Sequence, residues 1–189
     1  KDGLKGKKIG YLKSEEGKNV KVDMLVNDAI LFMEKMGAEI IHLENFVSGT
    51  PFTDSRTIMA YEFKDGINKY LNDLGETKPA NNLSDLIKLT YLDSIEMKYF
   101  NLSRMENSNS KGDLSNEEYT LALLEVQKNY GENGIDKVMD ENLLDAIICP
   151  TGSPAWKTDL INGDNFKLSS SVYAALSGYP NITIPMGFI

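Results

Sequence analysis

Residues 9–43 read as strand, helix and strand with short joints between them, and that order excludes most folds. Ile9-Gly10-Tyr11-Leu12 is a short apolar run behind the lead Leu4-Lys5-Gly6-Lys7-Lys8. From Asn19 to Met36 the apolar residues Val22, Leu25, Val26, Ala29, Met33 and Met36 keep helical spacing and mark one buried face. Gly37 ends this helix as a left-handed cap, and Ala38-Glu39-Ile40-Ile41-His42-Leu43 follows as a second run. Strands joined through a crossover helix pair in parallel, with a right-handed connection. The expected class is therefore α/β, with a mostly parallel or mixed sheet covered by helices.

The middle of the chain reads as helical. Val47–Thr53 is a loop, and Thr53 or Asp54 caps a helix whose spaced residues are Met59, Phe63, Ile67, Tyr70 and Leu74. Ser84 is expected to cap a short helix over Asp85–Leu92, and Glu96–Glu106 is expected to be one further helix. Asn107–Asp113 has the composition of an exposed turn. Ser115-Asn116-Glu117-Glu118 has the form of a capping box. It opens a helix with Tyr119, Leu123, Val126 and Tyr130 on one face, in which Gly131 and Gly134 are weak points. Two more short apolar runs close the chain, Ala146–Cys149 and Ile182–Ile184, each bounded by proline. All four runs are expected in one sheet, with Ile182 buried, and residues 1–189 as a single domain in which a helical block, 53–142, is inserted between strands.

Composition narrows the function. A formal charge of −8 argues against a nucleic-acid partner, whose phosphates call for basic faces. No stretch has the roughly 18 apolar residues of a membrane helix. The lone Cys149 excludes an internal disulfide and fits a reducing compartment such as the cytoplasm, and with the lone His42 it leaves little to bind a metal; no metal or other cofactor is expected.

Few side chains invite chemistry. Ser169-Ser170-Ser171 offers hydroxyls, but a serine nucleophile needs a base, and serines ahead of an alanine-containing helix read as caps. Cys149 among Ala146, Ile147 and Ile148 reads as a small buried hydrophobe. His42 reads as a sheet-face or edge residue, and Asp136, Asp140 and Glu141 beside Lys137 as a solvated face. Pro150-Thr151-Gly152-Ser153-Pro154-Ala155-Trp156 is different, because it leaves the C-terminal end of a strand, where ligands collect in open α/β sheets. Two readings of it stand, a rigid connection or a shaped pocket wall.

The order of motifs resembles the amidase signature family of serine amidohydrolases. Asp145-Ala146-Ile147-Ile148-Cys149-Pro150-Thr151, the helix after Ser169–Ser171, and Gly178-Tyr179-Pro180-Asn181-Ile182-Thr183-Ile184-Pro185-Met186-Gly187 resemble that family's closing part. Leu4–Leu12, Gly37–Ile41, Leu83–Ile87 and Gly112–Tyr119 resemble segments downstream of its catalytic serines. The resemblance implies a fragment of the amidase signature fold and a parent enzyme that hydrolyses carboxylic amides through a serine acyl-enzyme without cofactor. It implies Pro150, Thr151, Ser153 and Pro154 as pocket wall toward a small amide substrate. The family's Lys-Ser-Ser triad lies in a Gly/Ser-rich stretch that is not found here, so no catalytic residue carries over and the chain alone is expected to be inactive. It also implies an open edge after Phe188, hence a possible homodimer or a sticky monomer. Two rival readings are a transamidation subunit of the glutamyl-tRNA amidotransferase A type, with protein partners and a transfer RNA, and a free-standing ligand-binding α/β domain.

Overall fold

The computed structural model describes residues 2–45, 47 and 52–189, without the side chains of Glu15, Phe52, Thr53 and Thr77. The chain divides into two compact units, residues 1–49 with 127–189 and residues 50–126.

The first unit holds the sheet. Strand β1 (Lys8–Leu12) runs parallel to β2 (Glu39–Leu43) on one side and to β3 (Ala146–Ile148) on the other, giving the order β2-β1-β3. Between β1 and β2 stands helix α1 (Val20–Lys35). Its start is fixed by Asn19, whose side chain accepts the N–H groups of Lys21 and Val22 at 3.1 and 3.2 Å. Its end is Gly37, at φ +93°, and a side chain there would also press on the Lys5 backbone.

Successive residues of β1 point to opposite faces, and both faces are covered. Tyr11 packs with Val22, Val26 and Ile30 of α1 and with Leu168, and this burial pushes its phenol pKa up. Leu12 packs with Leu43, Val138 and Leu144 on the other face. Gly10 shares that second face. A Cβ there would stand 2.5 Å from Leu43 Cδ1 and 2.8 Å from Leu144 Cδ1, so the glycine lets the two leucines close over the strand. Asp145 ties the strand starts together, accepting the Lys7 ammonium at 2.6 Å and the Lys8 N–H at 2.9 Å, and these bonds hold its pKa below the ordinary value.

The fourth expected strand is absent. Residues 181–189 form no ladder, and Ile182 and Ile184 are 85% and 72% exposed. The segment touches the exit of β3 through Thr183 and Thr151, whose hydroxyls lie 3.3 Å apart, while Pro185 has no N–H to give a ladder. Ile182→Asp, which the expected burial of Ile182 would have made severe, is instead expected to stay within about 0.5 kcal/mol of the parent chain, as exposed sites do. A urea denaturation midpoint displaced by more than 0.5 M, an order-of-magnitude threshold at ordinary urea slopes of roughly 1–3 kcal/mol/M, would count against it.

The second unit is helical: α2 (Phe52–Asp73), α3 (Leu83–Tyr91), α4 (Glu96–Tyr99), α5 (Ser103–Ser110) and α6 (Glu117–Gln127). Four expectations are corrected here. The buried face of α2 carries Ser55, Ile58, Tyr61 and Leu71, whereas Met59, Phe63, Tyr70 and Leu74 are exposed. Tyr61 decides the rotation, donating its hydroxyl to Glu118 at 2.7 Å and packing on the Tyr119 ring at 5.6 Å. That hydrogen bond pushes the Tyr61 pKa up to about 12. The cap of α3 is Asn82, which accepts the Asp85 N–H at 3.0 Å, rather than Ser84. The helix expected over Glu96–Glu106 is broken at Phe100, which is extended, and α5 runs on to Ser110 into the expected turn. No capping box forms at Ser115: Glu118 turns to Lys111 and Tyr61, and Asn116 accepts the Glu118 N–H.

Past α6 the helical path widens into a π-helical stretch, Lys128–Asp136, around Gly131 and Gly134, and resumes as α7 (Lys137–Asn142) in the first unit. Such bulges often mark functional places. Helix α8 (Ser171–Ser177) packs on this stretch.

Candidate functional site

Because all three strands are parallel, their C-terminal ends share one edge of the sheet. Three pieces of chain meet beyond it: Lys13 and Ser14 after β1, Pro150–Pro154 after β3, and the start of α8. Three of the four expected wall residues, Pro150, Thr151 and Ser153, are held there by hydrogen bonds to the segment ahead of α8, and Pro154 follows them. Ser153 donates its N–H to the Leu168 carbonyl at 3.1 Å, and its hydroxyl accepts the N–H groups of Lys167 and Leu168 at 3.0 and 2.9 Å. Gly152 and Ser169 form an antiparallel bridge, and Ser170 donates its N–H to the Thr151 carbonyl at 3.3 Å. Pro150 is buried, Ser153 and Pro154 are half-buried, and Thr151 is exposed with its hydroxyl beside that of Thr183.

The serine run is not a set of caps. Ser170 is buried and donates its hydroxyl to the Pro150 carbonyl at 2.8 Å, leaving the first turn of α8 without a side-chain cap. A carbonyl facing inward after a strand end needs a donor more than the exposed helix start does. The same bond argues against a nucleophile, since Ser170 points its proton at a carbonyl and Ser153 is taken up by two N–H groups; neither is paired with a base. Ser170→Ala is expected to cost about 1–3 kcal/mol, the usual cost of a buried carbonyl left unsatisfied. Thermal melting of the variant against Ser171→Ala, whose residue is exposed, measures it.

Two site residues were not singled out from the sequence. Ser14 and Tyr173 bring their hydroxyls to 3.5 Å across the sheet edge, and Tyr173 packs against Tyr130 at 6.3 Å. Burial, then the nearby Tyr173, raises the Tyr130 pKa. Ser14 had a sequence signal in its position just past a strand end, but Tyr173 looks like any helical aromatic. Cys149 is half-buried and packs with the cluster around Leu12. His42 is exposed on β2, its ring edge-on to Tyr11 at 5.7 Å. Of the acidic face, Asp136 accepts the Tyr179 hydroxyl, which raises the Tyr179 pKa, and Glu141 pairs loosely with Lys137 at 4.0 Å. Among the described residues no three His, Cys, Asp or Glu side chains gather as a metal site, and no helix is long and apolar enough to cross a membrane.

The arrangement is a hydroxyl-rich wall on a parallel sheet, and comparison with known proteins gives it a context. No protein-family profile matches the chain. A probable amidase of Arabidopsis thaliana is 29% identical over 98% of this chain, which spans 33% of that protein. The structure of a peptide amidase solved with the competitive inhibitor chymostatin superposes on all of this chain with a TM-score of 0.90 and 31% identity, over 38% of its own length. The native peptide amidase of Stenotrophomonas maltophilia gives 0.85 and 30%, again over the whole chain and 38% of the enzyme. An amidase family protein of Bacillus anthracis shares the fold over 77% of the chain, with a TM-score of 0.63 and 24% identity. The chain thus spans about a third of the length of the relatives it matches, and its fold agrees with that of the solved amidases. Over its whole length it is similar to one segment of the amidase fold that these structures share.

Proposed function

We propose that the protein carrying this chain hydrolyses carboxylic amides, releasing ammonia or an amine, and that this segment supplies one wall of the substrate pocket. The observation that carries the reading is the superposition of the whole chain on peptide amidase. The peptide amidases it resembles make amides of amino acids or peptides a natural first substrate set. The role of this segment is positional. Pro150 and Pro154 stiffen the exit from β3, Ser153 locks it to the strand-like residues before α8, and Thr151 presents an exposed hydroxyl. These hold a ligand in place; they do not attack it. The chemistry needs an activated nucleophile and donors for the developing oxyanion. In the family that nucleophile belongs to a Lys-Ser-Ser triad, to which no residue here corresponds, so the segment by itself is inactive in this reading.

The test is ammonia release from small aliphatic and aromatic amides, measured on this chain and on the longer product of its gene if there is one. Turnover is expected only where a Gly/Ser-rich signature stretch is present. Turnover by the 189 residues alone, abolished by Ser170→Ala or Cys149→Ala, would overturn the reading and put the nucleophile inside this chain.

A further inference from the structure

We propose that residues 154–167 form a subsite for the aromatic or bulky apolar group of a carboxamide ligand, with Trp156 lining it and Phe166 set edge-on against that ring. This deepens the amidase reading and rests on it. The segment leaves the C-terminal end of β3 and returns to its starting point, its neck closed by Ser153 on Lys167 and Leu168 and by the Gly152–Ser169 bridge. A loop this long inside a compact unit, with its ends pinned together and no helix or strand of its own, is far more than a connection requires, and such loops commonly carry function.

Its interior is built as well. The Trp156 indole N–H donates to Asp164 at 3.1 Å, which fixes the ring, and Phe166 meets it edge to face at 6.2 Å and 74°. Asp159 accepts the N–H groups of Ile161 and Asn162 and the side-chain N–H of Asn162, so its carboxylate shapes the turn and its pKa is lowered by those bonds. A concavity opens between Trp156 and the polar residues Asn162 and Asn165. Phe166 nevertheless remains 63% exposed and Trp156 37% exposed. Rings left in water while their loop is held by this many hydrogen bonds are available to a partner ring, and aromatic pairs gain beyond their buried area. The two aspartates are engaged in holding the loop and Lys157 stands beside them, so the groove is not arranged for a cation. The amide groups of Asn162 and Asn165 offer both donors and acceptors, as a neutral carboxamide requires.

Trp156 is the sole tryptophan of the chain, so its emission reports on the groove without any need for turnover. Phenylacetamide is expected to shift or quench that emission saturably, while propionamide at the same concentrations leaves it unchanged. Phe166→Ala, at an exposed position that folding does not need, is expected to weaken phenylacetamide about tenfold through loss of one ring partner. No response to phenylacetamide, an equal response to both amides, or an unchanged affinity in Phe166→Ala overturns the subsite. Saturable binding by this chain, with no ammonia released from either amide by a longer product that carries the Gly/Ser-rich stretch, leaves the subsite standing and removes the amidase reading. Ammonia release at equal kcat/KM from both amides by that longer product, with Trp156 emission of this chain unmoved, does the reverse.

Discussion

Leu83→Asp is expected to abolish the folded state of residues 52–126. Leu83 has no exposed surface, and it sits against Ile87 and Leu102 with Ile67, Met97 and Met105 around them. It is also where the start of α3 is fastened to α2, through its N–H to the Asn68 side chain at 2.8 Å. A carboxylate there would enter an apolar cluster, and an unpaired buried charge is one of the few single changes that exceeds about 4 kcal/mol. Far-UV circular dichroism should lose a large part of its helical signal, since this unit is built almost wholly of helices. Leu89→Asp, two turns on in the same helix but 44% exposed, is the control and should fold. A Leu83→Asp chain with the parent spectrum and urea midpoint would mean that Leu83 does not anchor this core.

Leu12→Ala is expected to be the most damaging simple truncation in the sheet unit. Leu12 is 1% exposed and fills the space between Leu43, Val138 and Leu144, on the face of β1 that α7 covers. A buried leucine cut to alanine costs about 2–5 kcal/mol, the spread depending on how far the neighbours collapse into the hole. Here they are held on three separate elements, β2, α7 and the entry to β3, which favours the upper part of the range. With ordinary urea slopes of roughly 1–3 kcal/mol/M the midpoint should fall by about 1–2 M. Leu12→Ile keeps the volume and should cost under about 1.5 kcal/mol. Equal midpoints for the two variants would show that the site relaxes rather than leaving a cavity.

What the sequence determined by itself was everything set by neighbours along the chain. The spacing from Val22 to Met33, with Asn19 before it and Gly37 after it, defines α1 because capping and helical periodicity act within one or two turns. Strand–helix–strand continuity then forces parallel pairing, and the exit from β3 into Pro150–Pro154 therefore lies at the C-terminal edge of the sheet. What only the tertiary structure decided was the choice among competing partners. Helix α2 has two faces of similar apolar content, and the Tyr61–Glu118 hydrogen bond, between residues far apart in sequence, selects the one that is buried. Glu118 leaves a local capping box for that same contact and for Lys111, and Ser170 leaves a helix cap for the Pro150 carbonyl. Ile182 and Ile184 have the composition of a buried strand yet stay in solvent, because composition states that a residue favours burial and not that a paired edge is present to receive it. Ser14 and Tyr173 meet across the sheet edge for the same kind of reason: a local pattern specifies an element, but the distance between two elements is set by the packing of everything between them.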